Sequence, residues 1–110
     1  PNKITLHCSA TPNGKSVRIE TIRKDHIKNR GFTDISYHYL INSDGTVEIG
    51  RPETTKGAHV SGANEGNLGI CLVGTDKYRS VQLKALYDLV LDILKRYNIP
   101  MHKVFSHVNY

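Results

Sequence analysis

The 110-residue sequence has no tryptophan, one methionine, two phenylalanines and two cysteines. Two cysteines cannot build the disulfide framework that staples small secreted domains. Both Cys8 and Cys71 lie in apolar runs, where a free thiol behaves as a small hydrophobe. No apolar run approaches the ~20 residues that a membrane-crossing helix needs, and no basic-then-apolar leader opens the chain. The sequence therefore reads as a soluble domain or as the mature part of a longer product. It lacks internal repeats, linkers and low-complexity segments, and its length suits one domain with one modest core.

Acidic residues are the scarcer charge: 15 Lys and Arg face 10 Asp and Glu, a formal net charge of +5. Such a balance favours anionic partners. The basic residues form no single run, however, and the densest stretch, RKDHIKNR (23–30), reads as a solvated helix face with no aromatic-interleaved basic motif beside it. Neither nucleic acid nor a membrane is an expected partner, and a monomer is the expected state.

What is present alternates in type. Residues 3 to 9 form a short apolar run ending in Ser-Ala-Thr-Pro, which suits a strand. Ser16 is a fitting N-cap for a helix carrying Ile19, Ile22, His26 and Ile27 on one face and stopped by Gly31. In ISYHYLINSDGTVEIGRP two strand-forming runs flank Asp44-Gly45, a strong hairpin signal. The Gly-rich TTKGAHVSGANEGN (54–67) reads as a surface loop, and LGICLVG (68–74) as a central strand covered on both faces. From Ser80, the positions Leu83, Leu86, Tyr87, Val90, Ile93, Leu94 and Tyr97 trace one helical face that Asn98 and Pro100 end, and its aromatics are assigned to the core. KVFSH (103–107) is a last short strand. The order predicts an α/β fold, a mixed central β-sheet flanked by helices.

In such folds sites lie at the carboxyl ends of the central strands, where His7 and His107 fall. Side chains alternate along a strand, so His7 and Cys8 face opposite ways and cannot serve one site. Cys8 suits burial. A histidine on an apolar strand needs a partner for each ring nitrogen, either hydrogen bonds or a metal, and the residues alone leave both open. A Cys/His hydrolase is the competing enzyme. Its nucleophile would want a helix N-terminus or a cationic neighbour, and neither Cys8 nor Cys71 has one. Cys71, inside a central strand, has no evident reason to reach a site at the strand ends.

HCSATP, IRKDHIKNRGFTDISYHYLINSDGTVEIGR, GAHVSGANEGNLGICLVG and FSH occur in that order along nearly the whole chain. Together they resemble the zinc-dependent N-acetylmuramoyl-L-alanine amidases, the family of the amidase-type phage lysozymes and peptidoglycan recognition proteins. The resemblance implies that fold, Zn2+ held by His7 and His107, Tyr37 as the catalytic tyrosine, and His59 and Asn64 as contacts to a peptidoglycan muropeptide. His38 then packs or supports from behind, and His26 and His102 are structural. The implied activity is hydrolysis of the amide between N-acetylmuramic acid and L-alanine. The alternatives are a peptidoglycan-binding module without turnover and a protein-binding regulator. In the family a cysteine ligand, with a lysine or threonine just ahead of it, follows the last histidine, whereas this sequence ends at Tyr110. The expectation is one domain over 1–110, C-terminally truncated relative to the family, which binds muropeptide but has little activity in this form.

Overall fold

The structure is a computed structural model, and it describes residues 1–9, 37–54, 57, 64, 66–74 and 77–106. Among the described residues five strands form one sheet: β1 (Lys3–Cys8), β2 (Tyr39–Ile41), β3 (Val47–Ile49), β4 (Asn67–Leu72) and β5 (Val104–Ser106). Their spatial order is β3-β2-β4-β1-β5. β1 runs parallel to β4 and β5, β2 runs parallel to β4, and the β2–β3 hairpin is antiparallel. This is the expected mixed sheet. The helix expected from Ser16 lies outside the described residues.

The hairpin forms where Asp44-Gly45 predicts it. Asn42 and Thr46 close the turn through Asn42 N–H to Thr46 O, at 2.9 Å, and the Asp44 carboxylate accepts the Thr46 N–H at 2.9 Å. Gly45 has φ +89°, and a Cβ there would stand 3.0 Å from the Val81 carbonyl oxygen. Glycine thus serves two ends: it supplies the left-handed turn and lets the turn approach the following helix.

That helix, α1 (Ser80–Tyr97), starts and stops where the sequence predicts. Asn98 adopts the left-handed conformation at φ 53°, and the Ile99 N–H returns to Leu94 O at 2.9 Å. Lys95 and Arg96 in the last turn complement the helix dipole. Val90, Ile93 and Leu94 pack on Ile4, Ile41, Leu68, Ile70 and Leu72, forming the main core on one face of the sheet. β4 is buried along its whole length, as a central strand should be.

The buried stripe of α1 is narrower than its sequence suggests. Leu83 and Tyr87 are exposed, and with Leu86, Val90, Leu91 and Met101 they line an open apolar groove. Tyr87 is therefore not a core residue, because a short five-stranded sheet covers only part of an 18-residue helix face. Tyr97 does pack against the core. In place of the missing apolar contacts, Gln82 is 1% exposed. Its Nε2 donates to Ile41 O (3.1 Å) and Val73 O (2.8 Å), and its Oε1 accepts the Arg79 N–H at 3.3 Å. One amide thus adds a second bond to the Ile41 carbonyl, which also accepts the Val73 N–H at 3.0 Å, and satisfies the Val73 carbonyl just past β4 and one donor at the helix N-terminus.

A second tie joins the far end of α1 to the chain leaving β3. Glu53 accepts both terminal nitrogens of Arg96 at 2.8 Å, and the hydroxyls of Tyr39 and Tyr97 also donate to it. The Arg96 guanidinium lies 5.2 Å from the centre of the Tyr97 ring and is further held by Asp92. Arg96 above all holds the Glu53 carboxyl down at about 2, with the tyrosine hydroxyls assisting. Burial, reinforced by Glu53, pushes the Tyr39 phenol up to about 12.

Candidate functional site

The face of the sheet away from α1 has a different chemistry. Ile4 and Leu6 of β1 turn towards the helix core, so the pleat sends Thr5 and His7 to the other side. Thr5 Oγ1 donates to Asn67 Oδ1 at 2.8 Å, a fully buried polar pair at the base of this face. His7 lies two residues further along, at the carboxyl end of β1, and is 8% exposed.

Register brings Cys71 to the same level. His7 pairs with Cys71, and Cys71 pairs with Leu40 on its other flank, giving a row across β1, β4 and β2. Residues directly paired on neighbouring strands point the same way. Cys71 therefore shares the face of His7, contrary to the expectation that it stands apart from any site. Leu40, Cys71 and Val73 make a small apolar floor, 0%, 0% and 1% exposed.

Tyr37 packs on that floor. It precedes β2, so pleat alternation does not dictate its direction. Its carbonyl accepts the Arg51 N–H at 3.0 Å, and its ring lies 5.2 Å from that of His7 at 44°. Burial pushes the Cys71 thiol up to about 12, with Cys8 adding to the rise and Tyr37 opposing it, so Cys71 is neutral across the physiological range. This removes it as a thiolate nucleophile.

His38, next in sequence, is an internally satisfied residue. Its backbone N–H donates to Gly69 O, and its Nδ1 accepts the Gly69 N–H at 3.0 Å. This is the packing role expected for it. Cys8 departs from expectation: it is exposed. Alternation correctly turns it away from His7, but as the last residue of β1 it passes beyond the part of the helix face that covers Ile4 and Leu6. Just after it, Ser9 laces the ends of β1 and β4 together, its N–H bonding Leu72 O at 2.9 Å and its hydroxyl accepting the Gly74 N–H at 2.9 Å.

The other expected site residues are partly in view. Asn64 accepts the Asn67 N–H through its backbone carbonyl at 3.1 Å, at the entrance to β4. His7 extends from the carboxyl end of β1, whereas Asn67 pairs with Lys3 at the amino end, so the described contact of Asn64 is at the opposite end of the strand from His7. His59 and His107 lie outside the described residues. Ser106, which precedes His107, is level with Leu6, which precedes His7. Among the described residues no group of three His, Cys, Asp or Glu side chains could hold a metal ion. His7 supplies, among the described residues, a buried imidazole at a strand end, and imidazole nitrogen is a natural zinc donor.

A mixed sheet with a histidine at the carboxyl end of β1 and an aromatic ring beside it defines an α/β protein with its site at a strand end. Residues 1–110 match the Amidase_2 family, N-acetylmuramoyl-L-alanine amidase, and the chain belongs to it. The endolysin of Escherichia phage T7 is 39% identical over 102 residues, covering 86% of this chain and 67% of that protein. The N-acetylmuramoyl-L-alanine amidase LysC from Clostridium intestinale URNW superposes with a TM-score of 0.89 at 31% identity, over 99% of this chain and 71% of LysC. Peptidoglycan recognition protein-LE, solved in complex with tracheal cytotoxin, a monomeric diaminopimelic acid-type peptidoglycan, superposes with a TM-score of 0.85 at 27% identity, over 97% and 69% of the two chains. The chain thus spans about two thirds of these relatives' lengths, and the sheet and α1 are a peptidoglycan recognition protein-like amidase fold.

Proposed function

We propose that this protein hydrolyses the amide bond between N-acetylmuramic acid and L-alanine in bacterial peptidoglycan, with Zn2+ bound by His7 and His107. The observation that carries the reading is the contact of Tyr37 with His7 at the carboxyl end of β1, in a chain of the amidase family. A bound zinc ion would supply Lewis acidity and a water made acidic near neutral pH. The protein's own residues do the rest. His7 is an imidazole donor fixed by β1. Tyr37 stands beside it and donates its O–H to the oxygen of the scissile carbonyl as negative charge develops there. The row of Leu40, Cys71 and Val73 beneath the phenol excludes water and keeps the ring in place. His59 and Asn64 belong to the loop that would contact the muropeptide, and the domain is read as one unit over residues 1–110.

Metal analysis and release of L-alanyl peptides from purified peptidoglycan test this together. The parent should retain one zinc per chain, and His7→Ala and His107→Ala should lose it. Tyr37→Phe should keep the metal while slowing hydrolysis roughly 10²- to 10³-fold, the usual loss when an oxyanion donor is removed. Undiminished zinc in both histidine variants would put the metal elsewhere, and an unchanged rate in Tyr37→Phe would remove the tyrosine from the chemistry. Muropeptide binding without hydrolysis in a zinc-loaded form extended by the family's lysine or threonine and cysteine would instead establish a binding module.

A further inference from the structure

Among the described residues, the floor on which Tyr37 packs is Leu40, Cys71 and Val73, and Cys71 brings a sulfur to it. That sulfur fills the place of a small hydrophobe and can also accept a weak hydrogen bond. Two geometric facts converge on it. Cys71 is level with His7 in the parallel register. It shares the face on which Tyr37 packs. In keeping with that contact, Tyr37 opposes the burial-driven rise of the Cys71 thiol.

Tyr37 needs such a hold. It lies outside β2, so its side chain is not fixed by the pleat, and a phenol that must meet a substrate oxygen has to be aimed before the substrate arrives. We propose that Cys71 is a positioning residue for Tyr37: its buried sulfur accepts the phenol O–H and keeps the ring against His7, then yields that hydrogen to the substrate oxygen. Sulfur suits this task because it is a weak acceptor. An oxygen acceptor would compete for the same O–H, and a methyl group would leave the ring unaimed. The proposal rests on the reading of Tyr37 as a residue of the reaction site.

The test uses metal-free protein labelled with tyrosine carrying carbon-13 at Cζ, the Tyr37 signal being assigned by its loss in Tyr37→Phe. Cys71→Val removes the acceptor while adding about one methyl group of volume, and Cys71→Ala does so if valine prevents folding. Each should shift the Tyr37 signal, and Cys71→Ser should return it towards the parent position. With zinc present, Cys71→Val should lower kcat about two- to tenfold, the worth of one neutral hydrogen bond. KM and zinc content should stay at parent values, and Cys71→Ser, whose oxygen keeps hold of the O–H, should aim the ring without recovering the parent rate. An unmoved Tyr37 signal in both the valine and alanine variants would overturn the proposal whatever the rates. If Cys71→Val moves the signal while Tyr37→Phe leaves hydrolysis intact, Cys71 still positions Tyr37, and it is the catalytic reading of the tyrosine that fails.

Discussion

The two faces of the sheet are built to different specifications. Towards α1 the strands contribute Ile4, Leu6, Ile41, Leu68, Ile70 and Leu72, all aliphatic and most fully buried. Away from α1 the same strands contribute Thr5, His7, Asn67 and Cys71, with Tyr37 laid over them. β1 and β4 therefore carry both programmes on alternate residues. The aliphatic face supplies burial free energy, at about 25 cal/mol per Å² removed from water. The polar face depends on completed hydrogen bonds, since an unpaired buried polar group is destabilising. The first should tolerate no loss of volume, the second no loss of a partner.

The largest effect is expected on the aliphatic face. Ile93 is fully buried against the sheet, so Ile93→Ala should lower the unfolding free energy by about 2–5 kcal/mol through lost transfer energy and a residual cavity. Urea denaturation measures it, with the midpoint falling and the slope unchanged. A loss below about 1 kcal/mol would mean that α1 is not seated on the sheet as described.

This contrast also explains what could be read from the sequence. α1, the hairpin and β4 were all legible, because periodicity, Asp44-Gly45 and a continuous apolar run are local signals. His7 and Tyr37 were legible through their resemblance to a family, and the separation of His7 from Cys8 through strand alternation. What alternation cannot tell is how far the covering layer extends: it gives the side of Cys8 and Tyr87 but not their exposure. Long-range pairing was illegible as well. Nothing local reveals that Gln82 would reach Ile41 and Val73, that Glu53 would meet Arg96, or that Cys71 would stand level with His7. These facts depend on register and on the crossover from β4 through α1 to β5.

The Glu53 tie tests the boundary between the two programmes, because it is a polar device on the aliphatic side. Its carboxyl is held at about 2, below its ordinary 4.5. The folded state therefore favours the ionised form, and the stabilisation is complete above pH 4.5 and is lost as the pH falls towards about 2. Since Arg96 is partly exposed, salt screens some of it. Glu53→Gln keeps the shape without the charge. The parent should have the higher Tm at neutral pH, and the two melting temperatures should converge as the pH drops from about 5 towards 2. Parallel curves would show that the carboxylate and guanidinium do not form this tie in solution.

The smallest effect separates the two cysteines, one on each side of the sheet. Cys8 is free and exposed, whereas Cys71 is free and buried with its thiol pushed up to about 12. A thiol reagent acts on an accessible thiolate, so native protein should react rapidly at one thiol per chain and at the second only on unfolding. Cys8→Ser should abolish the fast reaction and change stability by less than about 0.5 kcal/mol, as expected of an exposed strand-end position. Zinc content and hydrolysis should be unaffected, because alternation turns this side chain away from His7. If Cys8→Ser leaves the fast reaction intact, Cys71 is the accessible thiol, and the closed apolar floor beneath Tyr37 does not persist in solution.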